Sequence, residues 1–548
     1  MDVRRTILML VFVGSLFLLW DAWMRQTVPA PKQPGAPNVV EPAPAQPGAL
    51  PTPMKPVVEA LPAAGGAATL AAPMAGETFV LKNRDLELVI DGQGARFVRA
   101  TLRDQASDQY PDGFVRLFDT DPRRLYEAQT GLVGTGANGK ALPNHTVVFS
   151  ALPLKPDDHP ERTLLLAAEA GGLKLIKRIS LGETGHQVRV QHTVLNTGAD
   201  TATPTIYLQF LRNGDPAPGE SSFYQTFTGP ALYTDQGKFQ KVNFSDIEKG
   251  RRDYVQQANN GWMSVVQHYF VSAWVIQNQA AREFYTRKVG ENQYTAGVLQ
   301  SFPAVAPGAQ QTHEVVLYVG PQVQRVLEAL APGLDLVVDY SWLTFIAKPI
   351  YWLLEQLYQL VPNWGWAIVL LTIIIKALFY PLSAASYRSM AKMKAVAPRM
   401  TALRERYGED KAKFNQAMME LYKTEKINPL GGCLPIFIQI PVFLALYWVL
   451  LASVEMRNAP WVLWIQDLAA PDPYYILPVV MAATMFLQTK LNPPPPDPLQ
   501  AKVMLFLPLV FSVFFFFFPA GLVLYWLVNN VVSIAQQWFI MKRMNVPV

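Results

Sequence analysis

The stretch LLTIIIKALFYPL, Leu370 to Leu382, decides how the whole chain is read. It is a piece of membrane-spanning helix but for Lys376, set among isoleucines. A charge at the bilayer centre costs about 2.5–3.5 kcal/mol on insertion scales. The residues alone leave two readings open. Either Lys376 supplies a positive charge inside the membrane, or its long stem carries the ammonium out to the cytoplasmic headgroups. Arg388 follows twelve residues later, about 18 Å along a helix, which keeps the second reading within reach.

Around this stretch the chain divides clearly. Half of its 548 residues are hydrophobic and 16% are charged, below the roughly 25% of a soluble domain. The net charge of +5 would suit a nucleic acid, but the basic residues are distributed as membrane orientation requires, and no sequence-specific nucleic-acid partner is expected. Cys433 is the only cysteine, so no internal disulfide is possible; it reads as a small packing residue.

The start, MDVRR followed by TILMLVFVGSLFLLW, lacks a small-residue cleavage site before DAWMR. It reads as an uncleaved signal-anchor over residues 1–24, its N-terminus held in the cytoplasm by Arg4 and Arg5. Residues 25–76 are Pro- and Ala-rich, an extended tether. From 77 to 325 the pattern changes to alternation, as in FVLKNRDLELVI and HQVRVQHTVLNTG, with turn signals DGQG, NTG and TDQG. This predicts an all-β sandwich on the far side of the membrane. Within it, GTGANGKA (Gly134–Ala141) imitates a phosphate loop, but Ala141 replaces the Mg²⁺-binding hydroxyl and Pro143 blocks the helix. It reads as a surface loop, and no cofactor is expected.

Residues 334–361 carry apolar residues at helical spacing, interrupted by Asp339, Lys348, Pro349 and Glu355. That suits an amphipathic helix lying in the membrane interface. Trp364 and Trp366 then open the Lys376 span, 364–382. Residues 384–430 read as a helical hairpin. One stripe holds Met393, Val396, Met400, Leu403 and Tyr407, another Phe414, Met418 and Leu421, with Gly408 as a C-cap and Asp410 as an N-cap between them. Ten Lys/Arg against five Asp/Glu put the hairpin in the cytoplasm. Apolar runs at 433–452, 474–489, 503–518 and 520–540 bring the expected count to six spans, with both termini inside. The runs at 474–489 and 503–518 are shorter than the usual ~20 residues.

Polar residues inside these runs are the candidate site. Thr372 shares a face with Lys376 one turn away, and the competing reading is a bond to its own helix backbone. Gln439 interrupts CLPIFIQIPVF, where a hydrogen bond between helices competes with exposure to a groove. Asn529, Asn530, Ser533 and Gln536 form a polar strip in the last run.

At MAKMKAVAPRM, INPLGGCLPIFIQIPVFLALYWVL, DPYYILP and FPAGLVLYWLVNN the chain resembles the YidC membrane-protein insertases, over about residues 335 to 545. The anchor, tether and β-rich domain look like the Gram-negative form of that family. The resemblance implies a polytopic α-helical membrane protein of six transmembrane helices, five of them forming the family's shared core, plus the periplasmic all-β sandwich domain. It also implies an insertase and chaperone of the bacterial inner membrane with no catalytic chemistry. Nascent inner-membrane proteins would be its substrates, and membrane lipids and Sec translocon components its neighbours. The hairpin would receive nascent chains and meet the ribosome or the signal recognition particle pathway. The family's arginine in a hydrophilic groove corresponds here to Lys376, which keeps the charge and loses the bidentate fork. Thr372, Gln439 and Asn530 would line that groove, and Phe443, Tyr525 and Trp526 match aromatic positions past which a substrate helix slides.

Two other classes compete. A small-solute transporter or channel would use Lys376 as a site, but no paired half-repeats are visible. An anchored enzyme in the β-domain is the other, since the predicted sandwich is similar to mutarotase-like folds; its six histidines show no metal-ligand spacing, and fold alone does not give activity.

Overall fold

The computed structural model describes residues 77–134, 136, 139–217, 226–407, 410–425, 427, 434–492 and 498–544. The expected anchor and tether, Gly408 and Cys433 lie outside the described residues.

Alternation builds the N-terminal half as it should. Leu173–Leu181 buries every second residue, as does Leu86–Asp91. Two antiparallel sheets result. In spatial order the first holds Thr78–Lys82, Leu86–Asp91, Arg96–Ala106, Tyr126–Val133, Thr205–Asn213, Gln293–Ser301, Arg282–Gly290 and Gln257–Ala258, with Phe114–Arg116 beside the third. The second runs Lys238–Lys241, Gly229–Thr234, Trp262–Val266, Phe270–Val275, Gln310–Pro321, Gln187–Asn196, Leu173–Leu181, Thr163–Ala170 and Ser150–Ala151. Gly171 and Gly172 both take positive φ (61° and 79°) in the two-residue turn joining Thr163–Ala170 to Leu173–Leu181, the backbone that a tight hairpin demands.

Between the sheets lies one apolar core, including Phe97, Leu132, Leu175, Val190, Phe210, Trp274 and Leu317. Lys177 sits in it, fully buried on an inward-facing row, donating to the carbonyls of Gly94 and Thr130, both at 2.8 Å. Burial pushes its ammonium down to about 7. The phosphate-loop imitation is a turn in which Gly139 N–H donates to the Gly136 carbonyl at 3.2 Å, and no helix follows it among the described residues.

Two short helices, α1 (Phe244–Glu248) and α2 (Gln324–Leu330), belong to the sandwich and its exit. Beyond them come α3 (Thr344–Leu360), α4 (Trp364–Leu378), α5 (Tyr380–Tyr407), α6 (Lys411–Thr424), α7 (Leu434–Ala452), α8 (Ile476–Leu491), α9 (Pro498–Phe514) and α10 (Ala520–Arg543). The outward face of the second sheet, through Trp262, Ala273 and Tyr318, packs on the exit segment at Leu327, Leu334 and Val337. The same apolar cluster continues into α3, α4, α7, α8 and α10, so sandwich and helices share one seam. Gly333 sits at a tight point of this seam: at φ 71° it lies against the Tyr233 ring, and Trp262 Nε1 donates to the Pro332 carbonyl at 3.0 Å.

The charges that interrupt 334–361 are each neutralised locally: Asp339 by Lys241, Lys348 by Asp335, Glu355 by Arg325. α3 buries Ile350, Leu354 and Leu357 while Phe345, Trp352 and Leu360 stay exposed, two apolar faces separated by paired charge.

Helix length departs from the expected spans. Among the described residues no single helix is both long and apolar enough to cross a membrane. α4 and α5 pass only as a pair, bent by 67° where α4 ends. The straight 18 Å path from Lys376 to Arg388 therefore does not exist: Pro381, which suits a helix's first turn, starts α5 on a new axis. Lys376 lies in the last turn of α4. α5 and α6 pair as a hairpin, with Val396 and Met400 buried and Arg399 bonded to Glu425 at 2.5 Å. Asp410 caps α6 by accepting from Ala412 N and Lys413 N, both at 3.1 Å.

Candidate substrate groove

α10 packs against α4, α5 and α8, and more lightly against α7. Four of its residues, Tyr525, Asn529, Ser533 and Gln537, recur every four positions and share one face. This ladder meets Lys376.

Lys376 is 7% exposed, and its Nζ donates to Ser533 Oγ at 2.8 Å and more distantly to Gln439 Oε1 at 3.5 Å. The Gln439 amide nitrogen donates to Tyr525 OH and to Asn529 Oδ1, each at 2.9 Å. Ser533 Oγ donates in turn to the Asn529 carbonyl at 2.6 Å. Three helices thus converge on one ammonium through neutral groups. Among the described residues no carboxylate lies within ion-pair distance of it. A buried charge ordinarily has an opposite partner. Here the offset comes from one hydroxyl, one amide oxygen and the C-terminal end of α4, whose carbonyls favour a cation.

Aromatic rings close one end. Phe443 stacks on Tyr525 at 6.2 Å and meets Trp526 edge-on at 4.6 Å, and Trp526 leans on Phe515 at 5.4 Å. Trp526 Nε1 is buried with no hydrogen-bond partner among the described residues.

Of the residues singled out in the sequence, Lys376, Gln439, Phe443, Tyr525 and Trp526 come together. Asn530 is buried but turns to α8, donating to Thr484 Oγ1 at 3.3 Å. Thr372, also buried, gives its hydroxyl to the Ile368 carbonyl at 2.7 Å, the local alternative. Ser533, the nearest partner of Lys376, is one member of the polar strip; the buried Gln537, which donates to Asn492 Oδ1 at 3.2 Å, lies next to Gln536 and outside that strip. The four-residue spacing from Tyr525 is the signal that finds both.

A family described as "60Kd inner membrane protein" matches residues 356–546, and one described as "YidC periplasmic domain" matches residues 78–353. A "Membrane protein insertase YidC" from Cupriavidus necator is 50% identical over 553 residues, covering 99% of this chain and 98% of its own. One of the same description from Bordetella petrii is 50% identical over 568 residues, covering 99% and 98%. A solved structure described as an active YidC insertase with the first transmembrane domain resolved covers 84% of this chain and 92% of its own, at 17% identity and a TM-score of 0.40.

Proposed function

The chain belongs to the YidC family of membrane protein insertases, and from that premise we propose that Lys376 is the working charge of a polar groove that draws the short tail of a substrate into the membrane. The chain is an inner-membrane protein with a periplasmic domain, and it inserts inner-membrane proteins. The finer reading is six spans, both termini cytoplasmic, the α5–α6 hairpin on the cytoplasmic side and the Sec translocon beside it. Basic residues in the hairpin support that orientation, and its exposed Arg404 and Arg406 suit reception of nascent chains from the ribosome or the signal recognition particle pathway.

One observation carries the reading: a buried lysine answered, among the described residues, by neutral groups alone. A carboxylate brought to about 6 Å of it, at an effective dielectric of about 20, gains about 3 kcal/mol. A tail with an acidic residue is therefore stabilised part-way across, and the apolar segment behind it leaves sideways into lipid, driven by ~25 cal/mol per Å² of apolar burial. The step uses no nucleotide.

The test is protease protection of the tail of a small substrate in proteoliposomes made with the full chain. Lys376→Arg is expected to insert acidic-tailed substrate normally, while Lys376→Ala and Lys376→Glu lose at least tenfold. Equal protection with Lys376→Ala would mean that the charge only anchors the helix and that the groove acts by shape and water.

A further inference from the structure

A second polar site lies far from Lys376. Where the sandwich meets the loop joining α7 to α8 there is a cavity of about 400 Å³. The sandwich supplies Arg116, Arg123, Arg124 and Arg212 to its wall, and the loop supplies Arg457. Three carboxylates, Asp108, Asp119 and Asp467, oppose these five guanidinium groups, so the lining is net positive.

The guanidiniums are not all consumed by ion pairs. Arg116 reaches Asp112 at 3.0 Å and Asp119 at 3.6 Å, yet its buried Nε has no hydrogen-bond partner among the described residues. Arg457 donates to neutral oxygens, the Ala106 carbonyl at 2.6 Å and Gln105 Oε1 at 3.5 Å, and lies 5.7 Å from the Phe270 ring centroid. Arg124 and Arg116 flank the Tyr110 ring, each 5.5 Å from its centroid. Among the described residues neither Arg124 nor Arg457 has a carboxylate within 4 Å. Pre-positioned guanidinium forks in a partly enclosed, net-positive space are the chemistry that recognises phosphate oxygens.

The position selects the source of that phosphate. Arg457 and Asp467 belong to the loop that also exposes Leu463, and Tyr474 and Tyr475 stand exposed at its end. Apolar and aromatic residues of this kind sit at the level of lipid headgroups. The inference rests on the membrane seating read above. We infer that this cavity binds the headgroup phosphate of an anionic phospholipid from the outer leaflet of the inner membrane, and so ties the sandwich to the lipid surface.

The test is native mass spectrometry of the detergent-purified full chain, titrated with phosphatidylglycerol, phosphatidylcholine, glycerophosphoglycerol and inorganic phosphate. Wild type is expected to retain phosphatidylglycerol about tenfold better than phosphatidylcholine. The double variant Arg124→Gln/Arg457→Gln loses that preference, and Arg124→Lys/Arg457→Lys keeps most of it. Equal retention of the two lipids by wild type, or an unchanged preference in the glutamine variant, overturns the inference. Displacement by millimolar inorganic phosphate or free headgroup identifies a small-anion site and overturns the lipid assignment, as does occupation by an acidic peptide in preference to lipid. The tail-protection assay runs on the same variants. Insertion intact with lipid preference lost separates this site from the groove, and loss of insertion in Lys376→Ala leaves the lipid result untouched.

Discussion

Two buried lysines define the residue scale, and the sequence discloses them unequally. Lys376 announces itself because every neighbour is apolar, and Gln439 does so for the same reason. Ser533, which answers the ammonium, does not, since nothing in one chain says which helices touch. Lys177 hides for the opposite reason: in LKLIKRISL it is one of three basic residues, and only the strand's period assigns it to the inward row with Leu175 and Ile179. Its consequence is a pH dependence. Folded, its pKa is depressed to about 7 by burial; unfolded, it returns to an ordinary lysine value of ~10.4. The unfolded chain therefore binds more protons between these values, and stability of the sandwich rises with pH across that window, by up to about 1.4 kcal/mol per unit. Denaturant melts of the full chain from pH 7 to 10, followed by tryptophan fluorescence, should show this slope. Lys177→Met should flatten it, and a slope that survives the substitution would assign it to another group.

At the scale of elements, ends matter more than middles. Hydropathy located the apolar runs, but a run does not disclose where its helix stops. The stretch from Trp364 to Leu382 reads as one span and folds as the whole of α4 and the start of α5, because Pro381 favours a new first turn. The start of α8 is set similarly, by a residue outside it. Asp472 accepts from Tyr474 N at 3.0 Å, Leu477 N at 2.7 Å and Trp464 Nε1 at 3.0 Å, satisfying an orphan amide of the first turn and pinning the preceding loop. Asp472→Ala is expected to cost about 2 kcal/mol locally. Hydrogen exchange at the Leu477 amide should then quicken about 30-fold, with the sandwich amides unchanged. Unaltered exchange at Leu477 would show that packing alone fixes this end. Asp410 at the head of α6 could be read directly from its place after Gly408, whereas Asp472, four residues before α8, could not.

Across the whole molecule the decisive feature is the shared seam. Alternation predicts a sandwich and hydropathy predicts helices, yet neither predicts that the outward face of one sheet is itself apolar and covered by the chain leading to α3. That face is legible only once Trp262, Ala273 and Tyr318 are seen to lie opposite the core-facing residues of their strands. Gly333 is one tight point between the two halves. An added Cβ there would lie 2.4 Å from the Tyr233 ring, on a backbone at φ 71°. Gly333→Ala is expected to loosen the sandwich from the helices, at about 1–2 kcal/mol for the left-handed backbone alone. A single cooperative thermal unfolding in detergent should then separate into two transitions, and a single unshifted transition would mean the seam holds without this contact.

The bend after α4 has a mechanical meaning. α5 is 28 residues long, about 42 Å of helix, and it leaves α4 at 67° one turn beyond Lys376. The two helices lie on separate axes, so a swing of about 10° at the joint would carry the far end of α5 about 7 Å while α4 stays in place. Movement at the hairpin tip is thereby uncoupled from the buried ammonium, which keeps its partners whatever the hairpin grips.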